Sequence, residues 1–242
     1  MNALYIAASG MVAQNQSMSL IGANLANANS PGYLSQVGSM VEFPTGVVTR
    51  QGHLPSAGGI GVTGQGVAFT AGLNLGLSGM QTTGQMTNLA VNGPGFFAVR
   101  GPQGVAYTRN GNFTVDSTGT LVTGGGERLL YTNGKPVVVG TAPFSVSPSG
   151  VVSQGGTALG QIAVFGLPAG NIKTLGAALY QTAGATPLAN PILQGSLNTS
   201  NVNIVNQTVD LVSAQSSYQS LAAVVNEEST RMKAATALGV LA

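Results

Sequence analysis

Few side chains in this sequence are equipped for catalysis. Its six carboxylates are Glu42, Asp116, Glu127, Asp210, Glu227 and Glu228, its single histidine is His53, and it has no cysteine. A general base needs an orienting partner within hydrogen-bond reach. His53 lies in Arg50-Gln51-Gly52-His53-Leu54-Pro55, a turn-forming context whose nearest acid along the chain is Glu42, so it reads as a surface-loop histidine. A Ser–His–Asp constellation assembles from distant segments, and no motif here supports one. Without cysteine there is neither a disulfide framework nor a thiolate metal site. Gly59-Ile60-Gly61-Val62-Thr63-Gly64 has the spacing of a dinucleotide-binding loop. That motif also requires a strand before it, a helix after it and an acid about 20 residues on. The chain is uncharged from Gln51 to Val99, so these are turn and loop glycines. The residues therefore predict no catalytic site, no metal, no cofactor and no small-molecule substrate.

What the chain lacks in chemistry it also lacks in charge. Of 242 residues only 14 are charged, or 6%, against about 25% in an ordinary soluble domain. Disorder is excluded by 43% hydrophobic content, and collagen by the absence of a three-residue glycine period among its 36 glycines. The eight cations are scattered and leave a net charge of +2, so no basic patch predicts a nucleic-acid partner. Met1 to Val41 carries no charge, nor do Pro136 to Ile172 and Thr174 to Val209. Interface cores are depleted in Lys, Glu and Asp, so a surface covered by neighbouring subunits accounts for these stretches as well as a neutral polar surface does. No run approaches the roughly 20 apolar residues of a membrane-spanning helix. A secretory signal is not expected, because its basic n-region would need a cation well before Arg50.

Three zones follow from hydrophobic periodicity, and together they predict an α+β fold. Leu4, Met11, Met18 and Leu25 recur every seven residues, with Ala7, Gln14, Ile21 and Ala28 three places later. These are the a and d positions of one helix seam. Asn29-Ser30-Pro31-Gly32 then ends the helix. At the other end Ile204, Leu211, Tyr218, Val225 and Met232 repeat the spacing, with Ala214, Leu221 and Ala235 in the second register and Glu228 the exception. Ser200 or Asn201 is positioned to cap this helix, and Glu227 and Arg231 form an i,i+4 pair on it. Two such helices around a different middle predict a coiled coil between the termini. The expected division is 1–34 with 200–242 as the helical domain, 35–80 as an extended or β linker region, and 81–199 as a β-rich domain. Within the last, Asn110-Gly111 between Ala106-Tyr107-Thr108-Arg109 and Asn112-Phe113-Thr114-Val115 predicts a tight hairpin. The terminal seams offer too few large apolar side chains to offset the chain entropy of ordering the helices alone. The termini are therefore expected to be disordered in a monomer and to fold on assembly.

Beyond periodicity, three segments resemble one family. Asn24-Leu25-Ala26-Asn27, followed by Pro31-Gly32-Tyr33, is similar to the N-terminal signature of the flagellar rod and hook proteins. Gly93, Gly95, Phe96 and Phe97, then Tyr107-Thr108-Arg109 and Gly111, resemble that family's central block. Ser200-Asn201-Val202 resembles its C-terminal element, with Gln215 and Tyr218 placed as in the helix that follows. The resemblance implies an axial subunit of the bacterial flagellar basal body that polymerises into a hollow helical tube. Paired terminal helices would line the tube, and a β domain would lie outside them. It further implies export in an unfolded state through the flagellar type III apparatus. The implied partners are copies of itself, other rod and hook proteins and the surrounding rings. Departures from the pattern are Leu34-Ser35-Gln36 where basic residues are usual, Asn88 for Asp and Asn198 for Glu, each removing a charge. The length favours the rod over the hook, whose outer domains are longer, and Gly61 to Gly66 is more like the distal rod type. A hook subunit or another secreted tube-forming protein is the alternative.

Overall fold

The computed structural model describes residues 2–42, 46–48, 61–63, 67–168, 172–176 and 178–240. His53, Gly59, Ile60 and Gly64 to Gly66 lie outside the described residues, as do the side chains of Leu4 and Ala235. The architecture is α+β, with a helix at each end and a mainly β middle. It divides into two compact units, Met1–Leu25 with Gln36–Gly72 and Ile204–Ala242, and Ala26–Ser35 with Leu73–Asn203.

In the first unit, α1 spans Asn2–Ala26 and α2 spans Ile204–Val240. Alanine, leucine and methionine dominate α1, and no proline interrupts either helix. Ala7, Ala13, Ile21 and Asn24 are buried on α1, and Ala214 on α2. Gly10 lets the helices approach closely, because a Cβ there would sit 3.1 Å from Leu221 Cδ1. Further along, Asn24 Nδ2 donates to Gln207 Oε1 at 2.9 Å. The residue numbers of each pair add to the same total, so the two helices run antiparallel. Beside them the strands Gln36–Glu42 and Val67–Leu73 pair, and Gly46–Val48 pairs with Gly61–Thr63. The described segment after Gly61–Thr63 is a strand, so the glycine spacing there lacks the helix that nucleotide binding requires.

The second unit is built on a nine-stranded sheet whose described pairings are antiparallel. Its central strand, Phe96–Gly101, is flanked by Gly104–Thr108, Arg128–Leu129 and Val164–Gly166. Side chains alternate across this strand. Phe97 and Val99 enter the main core with Leu89, Phe113, Leu121 and Ile192, and Phe96 and Ala98 fill two smaller clusters on the other face. Burial on both faces explains the uninterrupted apolar run Phe96-Phe97-Ala98-Val99, where a half-buried strand would alternate. Phe97 meets Phe113 edge to face at 5.5 Å between ring centres.

Three local expectations are corrected. Asn110-Gly111 makes no hairpin. Gly104–Thr108 pairs with Phe96–Gly101 and Leu179–Gln181, while Phe113–Val115 pairs with Leu121–Thr123. The Asn110 side chain instead accepts from Asn112 N at 3.0 Å, a local turn that competes with hairpin geometry. The two-residue turn with positive φ at both positions is Gly155-Gly156, joining Val151–Gln154 to Thr157–Gln161. Neither Ser200 nor Asn201 caps α2, which begins at Ile204, because both are engaged upstream of it. The ion pair on α2 is Glu228–Arg231, at 3.7 Å and spaced i,i+3, rather than Glu227–Arg231.

Candidate functional site, the junction of three motifs

The three motif segments are distant in sequence and meet in the second unit. Gly32 has φ +66°, and an added Cβ would lie 2.2 Å from the carbonyl carbon of Arg109. Glycine thus serves both the turn and the close approach of two backbones. Gly32 N donates to Asn198 O at 2.8 Å, and Asn201 N donates to Tyr33 O at 3.3 Å. Asn201 Oδ1 accepts from Ser35 N at 2.6 Å, and its Nδ2 donates to Asn74 O at 3.0 Å. The segments that leave α1 and enter α2 are therefore laced together by backbone and asparagine hydrogen bonds. A short polar side chain with both donor and acceptor suits this task, since it can mimic a strand partner.

Asn198 makes the most complete bond of this kind. Its amide accepts from Val91 N at 2.9 Å and donates to Val91 O at 3.1 Å, both groups being buried. A glutamate at this position, as in the family pattern, would have no donor for Val91 O when ionised. The departure from that pattern therefore has a local reason. Asn24 repeats the device in the first unit, accepting from Gln36 N at 2.9 Å and donating to Gln36 O at 2.8 Å. Asn27 receives Ser30 Oγ at 3.2 Å.

The central block supplies the floor of the junction. Arg109 is 1% exposed and its guanidinium lies 5.8 Å from the Phe96 ring centre. One terminal nitrogen donates to Gly93 O, while Nε and Nη1 find no acceptor among the described residues. Burial pushes its pKa below the usual guanidinium range, against an opposing contribution from Tyr180. Tyr180 is a site residue with no signal in the sequence. Its hydroxyl accepts from Leu34 N at 3.3 Å, and burial pushes its pKa up to about 12. Thr108 Oγ1 donates to Ala178 O at 2.9 Å, and Tyr107 stacks edge to face on Phe165 at 5.4 Å. Gly93 has φ +129°, and a Cβ at Gly95 would lie 2.5 Å from Val164 Cγ1. At Gly111 the constraint is severest, with Leu89 O only 1.6 Å from where a Cβ would be. Pro31, Ser200 and Val202 are half-buried around this core, and Ala26 is exposed.

The helix positions are placed as follows. Ala7, Ile21 and Ala214 are buried, and Met11, Gln14, Met18, Leu25, Ala28, Leu211, Tyr218, Leu221 and Val225 are half-buried. Ile204 and Met232 are exposed, at 46% and 39%. Val205, Val209 and Val212 on a second face of α2 are more exposed still, at 71%, 63% and 58%. Among the described residues no group of His, Asp and Glu is arranged to hold a metal ion, and no helix is long and apolar enough to cross a membrane. What the arrangement does is mechanical, fastening the segment that leaves α1 to the segment that enters α2.

Comparison with known proteins finds a family model over each of the three motif segments. The model described as flagella basal body rod protein matches residues 4–33, and that described as the flagellar hook protein FlgE/F/G D1 domain matches 90–154. The model of the flagellar basal body rod FlgEFG protein C-terminal matches 193–238. The flagellar basal-body rod protein FlgG of Bacillus subtilis is 31% identical over 93% of this chain and 94% of its own length. FlgF of Caulobacter vibrioides, also named a basal-body rod protein, is 32% identical over 93% and 92%. The flagellar hook protein FlgE of Rhizobium meliloti is 33% identical over 74% of this chain but only 45% of its own length.

Proposed function

Given that the chain belongs to the flagellar basal-body rod protein family, we propose that it is a structural subunit of the bacterial flagellar rod. It polymerises into a hollow helical tube that transmits torque and lets exported subunits pass. The observation that carries this reading is the junction. The segment that leaves α1 and the segment that enters α2 are fastened to one another through Gly32, Tyr33, Ser35, Asn198 and Asn201, which supports helices from opposite ends of the sequence working as a pair.

The helices pair as a coiled coil along the seam of Leu4, Ala7, Met11, Gln14, Met18, Ile21, Leu25 and Ala28 with Ile204, Leu211, Ala214, Tyr218, Leu221, Val225 and Met232. The antiparallel contacts Gly10–Leu221 and Asn24–Gln207 support this. The working division is 1–34 with 200–242 as the helical coiled-coil domain, 35–80 as the extended or β linker region and 81–199 as the central β-rich domain. Exposed apolar residues on α2 and Val12 on α1, 60% exposed, are the surfaces that neighbouring copies cover. Further partners are other rod and hook proteins, the surrounding rings and, during secretion, the type III export apparatus. The hook is the weaker alternative, because this chain spans less than half of the matched hook protein. Immunogold labelling of basal bodies from cells carrying an epitope-tagged chain tests the assignment. Label on the rod is expected, and label confined to the hook or absent from basal bodies overturns it.

A further inference from the structure

Resting on that reading, we propose that the polar cavity around Asp210 is a socket for the cations Arg231 and Lys233, near the C-terminal end of α2, of a second copy of this chain. The cavity has a volume of about 370 Å³ and lies between α1, the strand Gln36–Glu42 and α2. Gln14, Ser17, Gln36, Gln207, Asp210 and Ser213 supply its polar wall.

The carboxylate there is exposed and accepts one long hydrogen bond. Asn24, buried and bound to the Gln36 backbone, donates to Gln207 Oε1, and Gln207 Nε2 donates to Asp210 at 3.4 Å. This relay reaches an anion beside a groove where, among the described residues, there is no cation and Asp210 has no ion pair. A carboxylate without an ion pair on the wall of a polar groove is suited to a guanidinium or ammonium group.

The matching cations stand at the far end of the helix pair. The contacts Gly10–Leu221 and Asn24–Gln207 set a register in which Asn2 lies level with Ser229. The remaining part of α2, about three turns to Val240, runs past the first residue of α1. On it Lys233 is exposed and the Arg231 side chain is 75% exposed, held only by a 3.7 Å contact to Glu228. A groove bounded by Ser229, Met232, Lys233, Thr236 and Ala237 is lined by α2 alone. The first unit has few charges, and its described charged side chains are Asp210, Glu227, Glu228, Arg231 and Lys233. Asp210 thus lies at one end of the helix pair, and Arg231 and Lys233, with Glu227 and Glu228 just before them, lie at the other.

The two cannot meet within one molecule. Residues 210 and 233 lie on one continuous helix, about 35 Å apart at 1.5 Å per residue. Contact is therefore between copies, and it is head-to-tail. Such an interface uses different patches on the two partners and propagates into a filament when it does not close into a ring.

The sequence has no cysteine, so two introduced cysteines report this contact without background. Cells whose sole copy carries Asp210→Cys and Lys233→Cys are treated with a mild oxidant and blotted under non-reducing conditions. In swimming cells the expected result is a ladder at multiples of the 24.1 kDa chain, absent from each single variant. Swimming cells that give monomer alone overturn the socket while leaving the rod assignment intact. If the double-cysteine cells do not swim, charge reversal decides. Lys233→Glu is expected to lower the number of rods per cell by roughly tenfold, and adding Asp210→Lys to restore it. Wild-type rod numbers in either single reversal, or no restoration in the pair, overturn the proposal. If wild-type cells themselves form no rods containing this chain, the rod assignment fails instead.

Discussion

Replacing Asn198 with alanine removes one side chain and orphans two backbone groups. Asn198 is 1% exposed, Val91 is fully buried, and the amide binds Val91 N at 2.9 Å and Val91 O at 3.1 Å. The Asn198 backbone keeps its bond from Gly32 N, so the perturbation is confined to the amide. Leaving a buried donor or acceptor without a partner costs about 1–3 kcal/mol each, so the pair costs about 2–6 kcal/mol. Water reaching the space left by the side chain brings this toward about 3 kcal/mol. For a chain of this length each kcal/mol lowers Tm by roughly 2–4 °C, giving an expected drop of about 6–12 °C. Differential scanning calorimetry measures it, with near-ultraviolet circular dichroism to confirm a native fold at 25 °C. Asn198→Asp keeps the acceptor but turns an anion toward Val91 O, and at neutral pH it should lose at least as much. A drop below about 2 °C for the alanine variant refutes the claim that this amide fastens the C-terminal segment to the β core.

Gly111→Ala places a Cβ 1.6 Å from Leu89 O, a backbone atom that cannot move aside. Soluble yield should collapse, and a well-folded Gly111→Ala protein contradicts the close approach. Tyr180 titrates near pH 12 when folded, against about 10 unfolded, so the folded state holds its proton more tightly. The stabilisation from this shift is complete below pH 10 and is lost as pH rises from 10 toward 12. Urea melts across that window should lose less stability in Tyr180→Phe than in the unchanged protein, and parallel profiles argue against a buried phenol. The expectation that the terminal helices fold on assembly predicts that removing the first 30 and last 40 residues leaves the far-ultraviolet helical signal of purified monomer nearly unchanged. A large loss of signal would mean they are stable alone.

Much of the architecture is legible in the sequence because it repeats locally. Both helices follow from seven-residue spacing, and the β middle from short Val, Phe and Tyr runs between glycines. The junction is legible only as motifs. Asn198 and Val91, or Gly32 and Arg109, are partners far apart in sequence, and no local periodicity connects them. Asn110-Gly111 misleads for the same reason. The glycine is required by Leu89 O, far away in sequence, and the asparagine by its own local turn, so neither serves a hairpin. Tyr180 carries no pattern at all, and its role depends on Leu34 N being brought to it by the fold. On α2 the choice of Glu228 over Glu227 as the partner of Arg231 rests on side-chain direction, which spacing alone does not resolve.

The central claim is that this chain is a structural part of the rod, and a clean deletion tests it most directly. Cells lacking the gene should be non-motile, and electron microscopy of their isolated basal bodies should show a missing or truncated rod, both restored by the gene supplied in trans. Motile cells with full-length rods would contradict the account.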